Sequence, residues 1–264
     1  MSAVLLDRDR AVARLTLNRP DAGNAIDPAL ADALVAAADE VAADASVRCV
    51  VLTGAARLFC AGGDVGAMAA AGDDAPAFLH ALASTLHRAV TTLATMLKPL
   101  VVAVNGPAAG AGLSLALLGD VVLAARSAHF TAAYTGIGLT PDGGMSWLLP
   151  RLVGLRRAQA MILTNERVGA DEAERLAMVT RTVDDADLSA ATEEIAQRLV
   201  SAPTAAIGTA RALLLAGTTA SLHEQLDREA AAIARAGAHS EAREGVAAFR
   251  ARRRPDFAGA GERR

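Results

Sequence analysis

Lys98-Pro-Leu-Val-Val-Ala-Val-Asn-Gly-Pro-Ala-Ala-Gly-Ala-Gly-Leu-Ser114 decides the fold of this chain. Leu100 to Val104 is an unbroken apolar run of strand length, Asn105-Gly106-Pro107 turns it, and Gly110-Ala-Gly112 opens a helix of small and apolar residues. The first turn of a helix has amides with no carbonyl partner, so this segment presents donors at the end of a buried strand. A second glycine loop, Phe59-Cys-Ala-Gly-Gly-Asp64, follows another apolar run, Cys49-Val-Val-Leu-Thr-Gly54. Two such loops from distant parts of the chain supply two main-chain N–H groups able to grip one carbonyl oxygen as it gains negative charge.

Outward from these loops the periodicity alternates between strand and helix. Ala13, Leu15 and Leu17 share one side of a half-buried strand over 11–17, with Val12, Arg14 and Thr16 on the other. Asp27 and Pro28 then form a helix start, a side-chain cap followed by a residue that needs no donor, and Leu30, Leu34, Ala37, Ala38 and Val41 recur at helical spacing. Helices are predicted over 75–97 and from Gly110, with an apolar run over 120–125 and a short strand over 128–132. From residue 171 onward the pattern predicts an almost wholly helical chain, over 171–178, 189–200, 203–215, 219–236 and 240–252. The plan is a sheet-containing core over 1–200 and a helical C-terminal region over 201–264.

Composition narrows the class. The 264 residues suit one large domain, and 26 basic against 29 acidic residues give a net charge of −3, with no field to attract nucleic acid or an anionic membrane. The run Arg250, Arg252, Arg253, Arg254 reads as a solvated helix end. Every long apolar stretch is broken before the roughly 18 residues that suggest a membrane span, and the N-terminus has no export signal. Two cysteines, Cys49 and Cys60, have neither disulfide nor metal spacing, which fits a reducing cytoplasm.

The glycine loops, with Leu17-Asn-Arg-Pro-Asp-Ala-Gly-Asn-Ala25, Gly138-Leu-Thr-Pro-Asp-Gly-Gly144 and Leu149-Pro-Arg-Leu-Val-Gly154, resemble the crotonase (enoyl-CoA hydratase/isomerase) superfamily over almost the whole chain. The resemblance implies an α/β fold of repeated strand-strand-helix turns and C-terminal helices that build trimers or dimers of trimers. It also implies an acyl-CoA thioester as substrate, with coenzyme A arriving as part of it and no further cofactor. By motif position the oxyanion donors would be the amides of Gly63 and Ala111, each worth on the order of 3 kcal/mol of barrier. Substrate contacts would fall on Ala22, Asn24 and Ala25, on Ala61, Gly62, Asp64 and Val65, and on Gly110.

The chain departs from the hydratase pattern at two places. Hydratases of this superfamily activate water with two glutamates; here Ser114, four residues past Gly110, and Tyr134, twenty residues later, stand in their positions, as substrate-lining side chains. Neither accepts a proton near neutral pH as a carboxylate does. Asp142 remains, in a Pro-Asp-Gly-Gly phrase similar, with Ala238-His-Ser-Glu-Ala-Arg-Glu-Gly-Val-Ala-Ala-Phe249, to the phenylacetate-pathway ring epoxide isomerases. The resemblance implies an isomerase in which Asp142 shuttles a proton while Gly63 and Ala111 hold the enolate oxygen. The alternatives are a hydratase that recruits Asp142, a non-catalytic acyl-CoA-binding protein, and Asp142 as nothing more than a helix cap.

Other signals are weaker. Asp64 reads mainly as a cap. Gly112-Leu-Ser-Leu-Ala116 is a near-miss to a nucleophile elbow, Gly110-Ala-Gly112 lacks the third glycine of a dinucleotide fingerprint, and none of the five histidines has metal spacing. Lys98 reads as a strand-edge charge. The acyl pocket is expected from the helix after Asp64 and the segment 69–78.

Overall fold

The structure, a computed structural model, describes residues 2–260; Met1 and the end of the expected C-terminal region, 261–264, lie outside the described residues. Among the described residues nine strands occur, in the order β1 (Val4–Asp9), β2 (Val12–Leu17), β3 (Cys49–Gly54), β4 (Leu100–Val104), β5 (Ala108–Ala109), β6 (Val121–Ala125), β7 (His129–Thr131), β8 (Val168–Gly169) and β9 (Arg181–Val183). Six of them form one sheet in the order β1-β2-β3-β4-β6-β9, parallel except for the β1–β2 hairpin. The short strands β5, β7 and β8 form a second sheet. A long strand followed by a short one recurs at β4-β5 and β6-β7, each pair leading into a helix, as the resemblance implies.

Helices cover both faces of the main sheet. They are α1 (Pro28–Ala43), α2 (Val65–Ala70), α3 (Ala75–Thr95), α4 (Ala111–Ala116), α5 (Met145–Val153), α6 (Leu155–Thr164), α7 (Ala170–Arg175) and α8 (Leu188–Val200). The C-terminal set is α9 (Thr204–Gly217), α10 (Leu222–Gly237), α11 (Ser240–Arg250) and α12 (Phe257–Ala260). Leu15, Leu52, Val102 and Val122 pair across four neighbouring strands and lie in the main core with residues of α1 and α3. Val51 and Val101 point to the other face, where Ala196 and Ile195 of α8 cover them. Burial on both sides explains why these strands are apolar throughout rather than alternating.

The start of α1 forms as its sequence predicts: the Asp27 side chain accepts from Leu30 N at 2.8 Å, and Pro28 sits in the first turn. Three expectations need correction. The chain after 171 is not wholly helical, because Arg181–Val183 adds β9 to the edge of the main sheet beside β6. β1 and β8 also went unread. Lys98 is no strand-edge charge: partly buried, its Nζ donates to the carbonyls of Val41 and Asp44, closing the C-terminal end of α1.

Among the described residues no single helix is long and apolar enough to cross a membrane; one bent pair, residues 185–200 with Thr204–Gly217, meets the length and composition at a 103° break.

Candidate active site

The site begins with the approach of the two glycine loops. Phe59 and Cys60 amides both donate to the Pro107 carbonyl at 3.2 Å, and the Ala109 amide donates back to Cys60 O at 2.9 Å, tying the end of β3 to β5. Gly112 allows α4 to come this close. A Cβ there would lie 2.3 Å from the Cys60 carbonyl oxygen, so no side chain fits. The first loop is held from beneath by Asn24. Its Nδ2 donates to the carbonyls of Ala55 at 2.9 Å and Leu58 at 2.8 Å, and its Oδ1 accepts from Arg19 N at 2.9 Å.

Gly63 and Ala111 then border one cavity of about 300 Å³. Ile26 N donates to Gly62 O and Asp64 N donates to Ile26 O, flanking Gly63, while Gly110 N donates to Thr131 O next to Ala111. Among the described residues neither the Gly63 nor the Ala111 amide donates within the chain, so two unspent donors from separate loops border the same space. Ala111 is the first residue of α4, where the amides carry the partial positive charge of a helix start.

Asp142 enters the cavity from the 138–144 loop and is the only carboxylate lining it among the described residues. The Tyr134 hydroxyl donates to Asp142 Oδ1 at 2.6 Å, the Ser114 hydroxyl donates to the Asp142 carbonyl at 2.9 Å, and the two hydroxyls are 3.3 Å apart. Burial, with the Asp142 charge alongside, pushes the Tyr134 phenol well above its ordinary range, so the phenol is the donor. Asp142 does not cap α5. That helix starts at Met145 with Gly144 in the cap position and no side-chain cap, which removes the bland alternative for this residue. Leu79, Leu82, Ala83, Leu86, Met68 and Leu139 supply the apolar wall.

With these elements in place, similarity to known proteins becomes informative. A family described as Enoyl-CoA hydratase/isomerase matches residues 7–260. The chain belongs to the enoyl-CoA hydratase/isomerase family. It is 38% identical over 260 residues to the 1,2-epoxyphenylacetyl-CoA isomerase of Escherichia coli, covering 98% of this chain and 99% of that one. It is also 35% identical over 260 residues to the 2,3-dehydroadipyl-CoA hydratase of the same species, covering 98% of this chain and all of that one. The solved enoyl-CoA hydratase of Polaromonas sp. JS666 superposes with a TM-score of 0.92 at 32% identity, covering 96% of this chain and 98% of that one.

For a member of this family, the placement of the sequence-named residues divides cleanly. Gly63, Ala111, Asp142, Ala61, Gly62, Val65, Gly110 and Tyr134 all line the cavity. Asp64 does not; it caps α2 through Ala67 N at 3.0 Å and pairs with Arg19 at 3.0 Å, and these contacts hold its carboxyl below the usual range. Asn24 departs from its expected contact with substrate. It is fully buried, its side chain is spent on the loop, its amide donates to Arg19 O and its carbonyl accepts from Cys60 Sγ. Ser114 is likewise sealed behind Asp142 rather than lining the cavity, which also rules against a nucleophile elbow. Ala22 and Ala25 sit beside the cavity-forming loop, not on the cavity.

Two features were missed. The apolar wall takes Val65 and Met68 from the helix after Asp64, as expected, but its larger part is Leu79, Leu82, Ala83 and Leu86 of α3 rather than 69–78, a stripe legible as helical spacing. His87, next to that stripe, accepts from the Gly143 amide at 3.0 Å through Nε2. Cys60 stays a thiol, since burial pushes it up to about 12.

Proposed function

We propose that the protein is an acyl-CoA isomerase that shifts a double bond, or rearranges a ring epoxide, next to a CoA thioester. The observation that carries this reading is a single carboxylate, Asp142, in a cavity bordered by two unspent amides. For a 3-enoyl thioester, the Asp142 carboxylate takes a proton from C2, and the C–H electron pair moves to the thioester oxygen between Gly63 and Ala111. The protonated Asp142 returns that proton at C4. The carbonyl reforms and the double bond comes to lie between C2 and C3, so one carboxylate suffices and every atom is conserved. Water addition would need a second proton-transfer group, and Ser114 and Tyr134 offer none.

The acyl group is apolar and uncharged on this reading, because among the described residues no Lys, Arg or His lines the cavity. Coenzyme A is needed only as part of the substrate. Assembly as a trimer or a dimer of trimers is supported by Leu214, Leu222, Leu226, Ile233, Val246 and Phe249, all exposed on the C-terminal helices.

Product analysis tests the proposal. Purified protein given a 3-enoyl-CoA should yield the conjugated 2-enoyl-CoA with no 3-hydroxyacyl product. Formation of 3-hydroxyacyl-CoA as the main product would establish a hydratase, and binding with no turnover of any acyl chain would establish a binding protein.

A further inference from the structure

Asp142 and its neighbours are fixed at three points. Tyr134 holds the carboxylate and Ser114 holds the carbonyl. The third is the next peptide group, where the Gly143 amide donates to His87 Nε2 at 3.0 Å. Gly143 is in the left-handed region, φ 62°, and a Cβ on it would lie 2.7 Å from Ser114 Cβ, so the chain is clamped between α4 and α3 there. His87 does not line the acyl cavity. It stands on the outer side of α3 in a separate surface groove with Ser84, Arg88, Thr91 and Thr92, and with Asp39 of α1.

We infer that His87 is a positioning residue for Asp142, whose unprotonated Nε2 anchors the Gly143 amide and so sets the direction of the carboxylate. The inference rests on the proposed role of Asp142 as the proton carrier. A buried amide so close to a reacting carboxylate needs an acceptor, and imidazole supplies one only when Nδ1 carries the proton. An imidazolium has two donors and no acceptor, so protonation turns the contact with Gly143 N–H from attraction to repulsion. The charged groups that bear on this switch are Asp142 on the loop, Arg88 beside His87 on α3, and Asp39 across the groove on α1. Solvent reaches the ring directly, since His87 is exposed.

Two replacements separate positioning from general damage. Glutamine places an amide oxygen near the position of Nε2 and cannot be protonated in the working range, whereas leucine fills similar space with no acceptor. His87→Leu is expected to lower kcat about tenfold at pH 8 with KM changed less than about twofold, the signature of a group that acts on the reacting geometry. His87→Gln should recover most of that loss.

Nitrogen-15 NMR of the unaltered protein gives a readout independent of turnover: His87 should be the Nδ1–H tautomer at pH 8. Equal activity in His87→Leu and wild type, His87→Gln no more active than His87→Leu, or an Nε2–H tautomer would each overturn the inference. Asp142→Asn is run alongside. If it retains full turnover, the proton-carrier reading itself has failed; if it abolishes turnover while the His87 variants behave as wild type, only the positioning role is lost.

Discussion

The phenolic oxygen of Tyr134 lies 2.6 Å from Oδ1 of Asp142, and both side chains face the same cavity. A neutral donor against an ionised acceptor is the stronger kind of hydrogen bond, and here it holds the carboxylate in one rotamer while leaving its second oxygen for chemistry. Tyr134→Phe removes only the hydroxyl. It should lower kcat about tenfold with a smaller change in KM. Steady-state kinetics of this variant, of Asp142→Asn and of the pair should show strong non-additivity, since the two side chains act as one unit.

Gly112 is the steric condition for the meeting of the two loops. Gly112→Ala would put a methyl group against the Cys60 carbonyl, and backbone cannot yield as a flexible side chain can. The expected loss of stability is on the order of 2–3 kcal/mol, with activity lost beyond what unfolding explains because Ala111 is displaced from Gly63. Denaturant titration combined with kcat of the folded fraction checks both parts.

Among the described residues no cationic side chain lines the cavity, which makes the acyl preference measurable. An acyl chain ending in a second carboxylate would bury a charge without a partner, at a cost of several kcal/mol. A hexenoyl-CoA should therefore exceed dehydroadipyl-CoA in kcat/KM by at least about 100-fold. Comparable values for the two substrates would mean that the distal end of the acyl chain reaches water or a cation.

Asp64 ties the first glycine loop to acid stability. Its contact with the Ala67 amide, then its pairing with Arg19, hold its carboxyl below the ordinary value of 3.8, so it stabilises the fold above that value and loses the contribution as pH falls through the depressed value. Asp64→Asn should lower Tm at pH 7, and the gap from wild type should close in acid below about pH 4. A gap that persists unchanged at pH 3 would assign the effect to packing instead.

The legible part of this molecule is what continuous burial writes into sequence. β3, β4 and β6 are apolar throughout because helices cover both faces, and the glycine loops stand out because a backbone must pass close to another. β9 was not legible. It has three residues, begins with exposed Arg181 and pairs only at the sheet edge, so neither period nor burial marks it. Pro141-Asp142-Gly143 fits a cap and a base equally well in sequence, and it is the uncapped start of α5 and the bond to Tyr134 that separate them. Asn24 reads as a loop polar group, yet its bonds reach residues more than thirty positions away, which no local pattern encodes. His87 is one exposed residue on a helix whose neighbours carry the signal.

The most direct test of the central claim follows hydrogen rather than product. In deuterated water, proton NMR of a 3-enoyl-CoA substrate should show deuterium entering at C2 with wild-type protein, and Asp142→Asn should slow that exchange at least about 1000-fold while still binding the thioester. Exchange at the wild-type rate in Asp142→Asn would show that another group moves the proton, and the single-carboxylate account would be wrong.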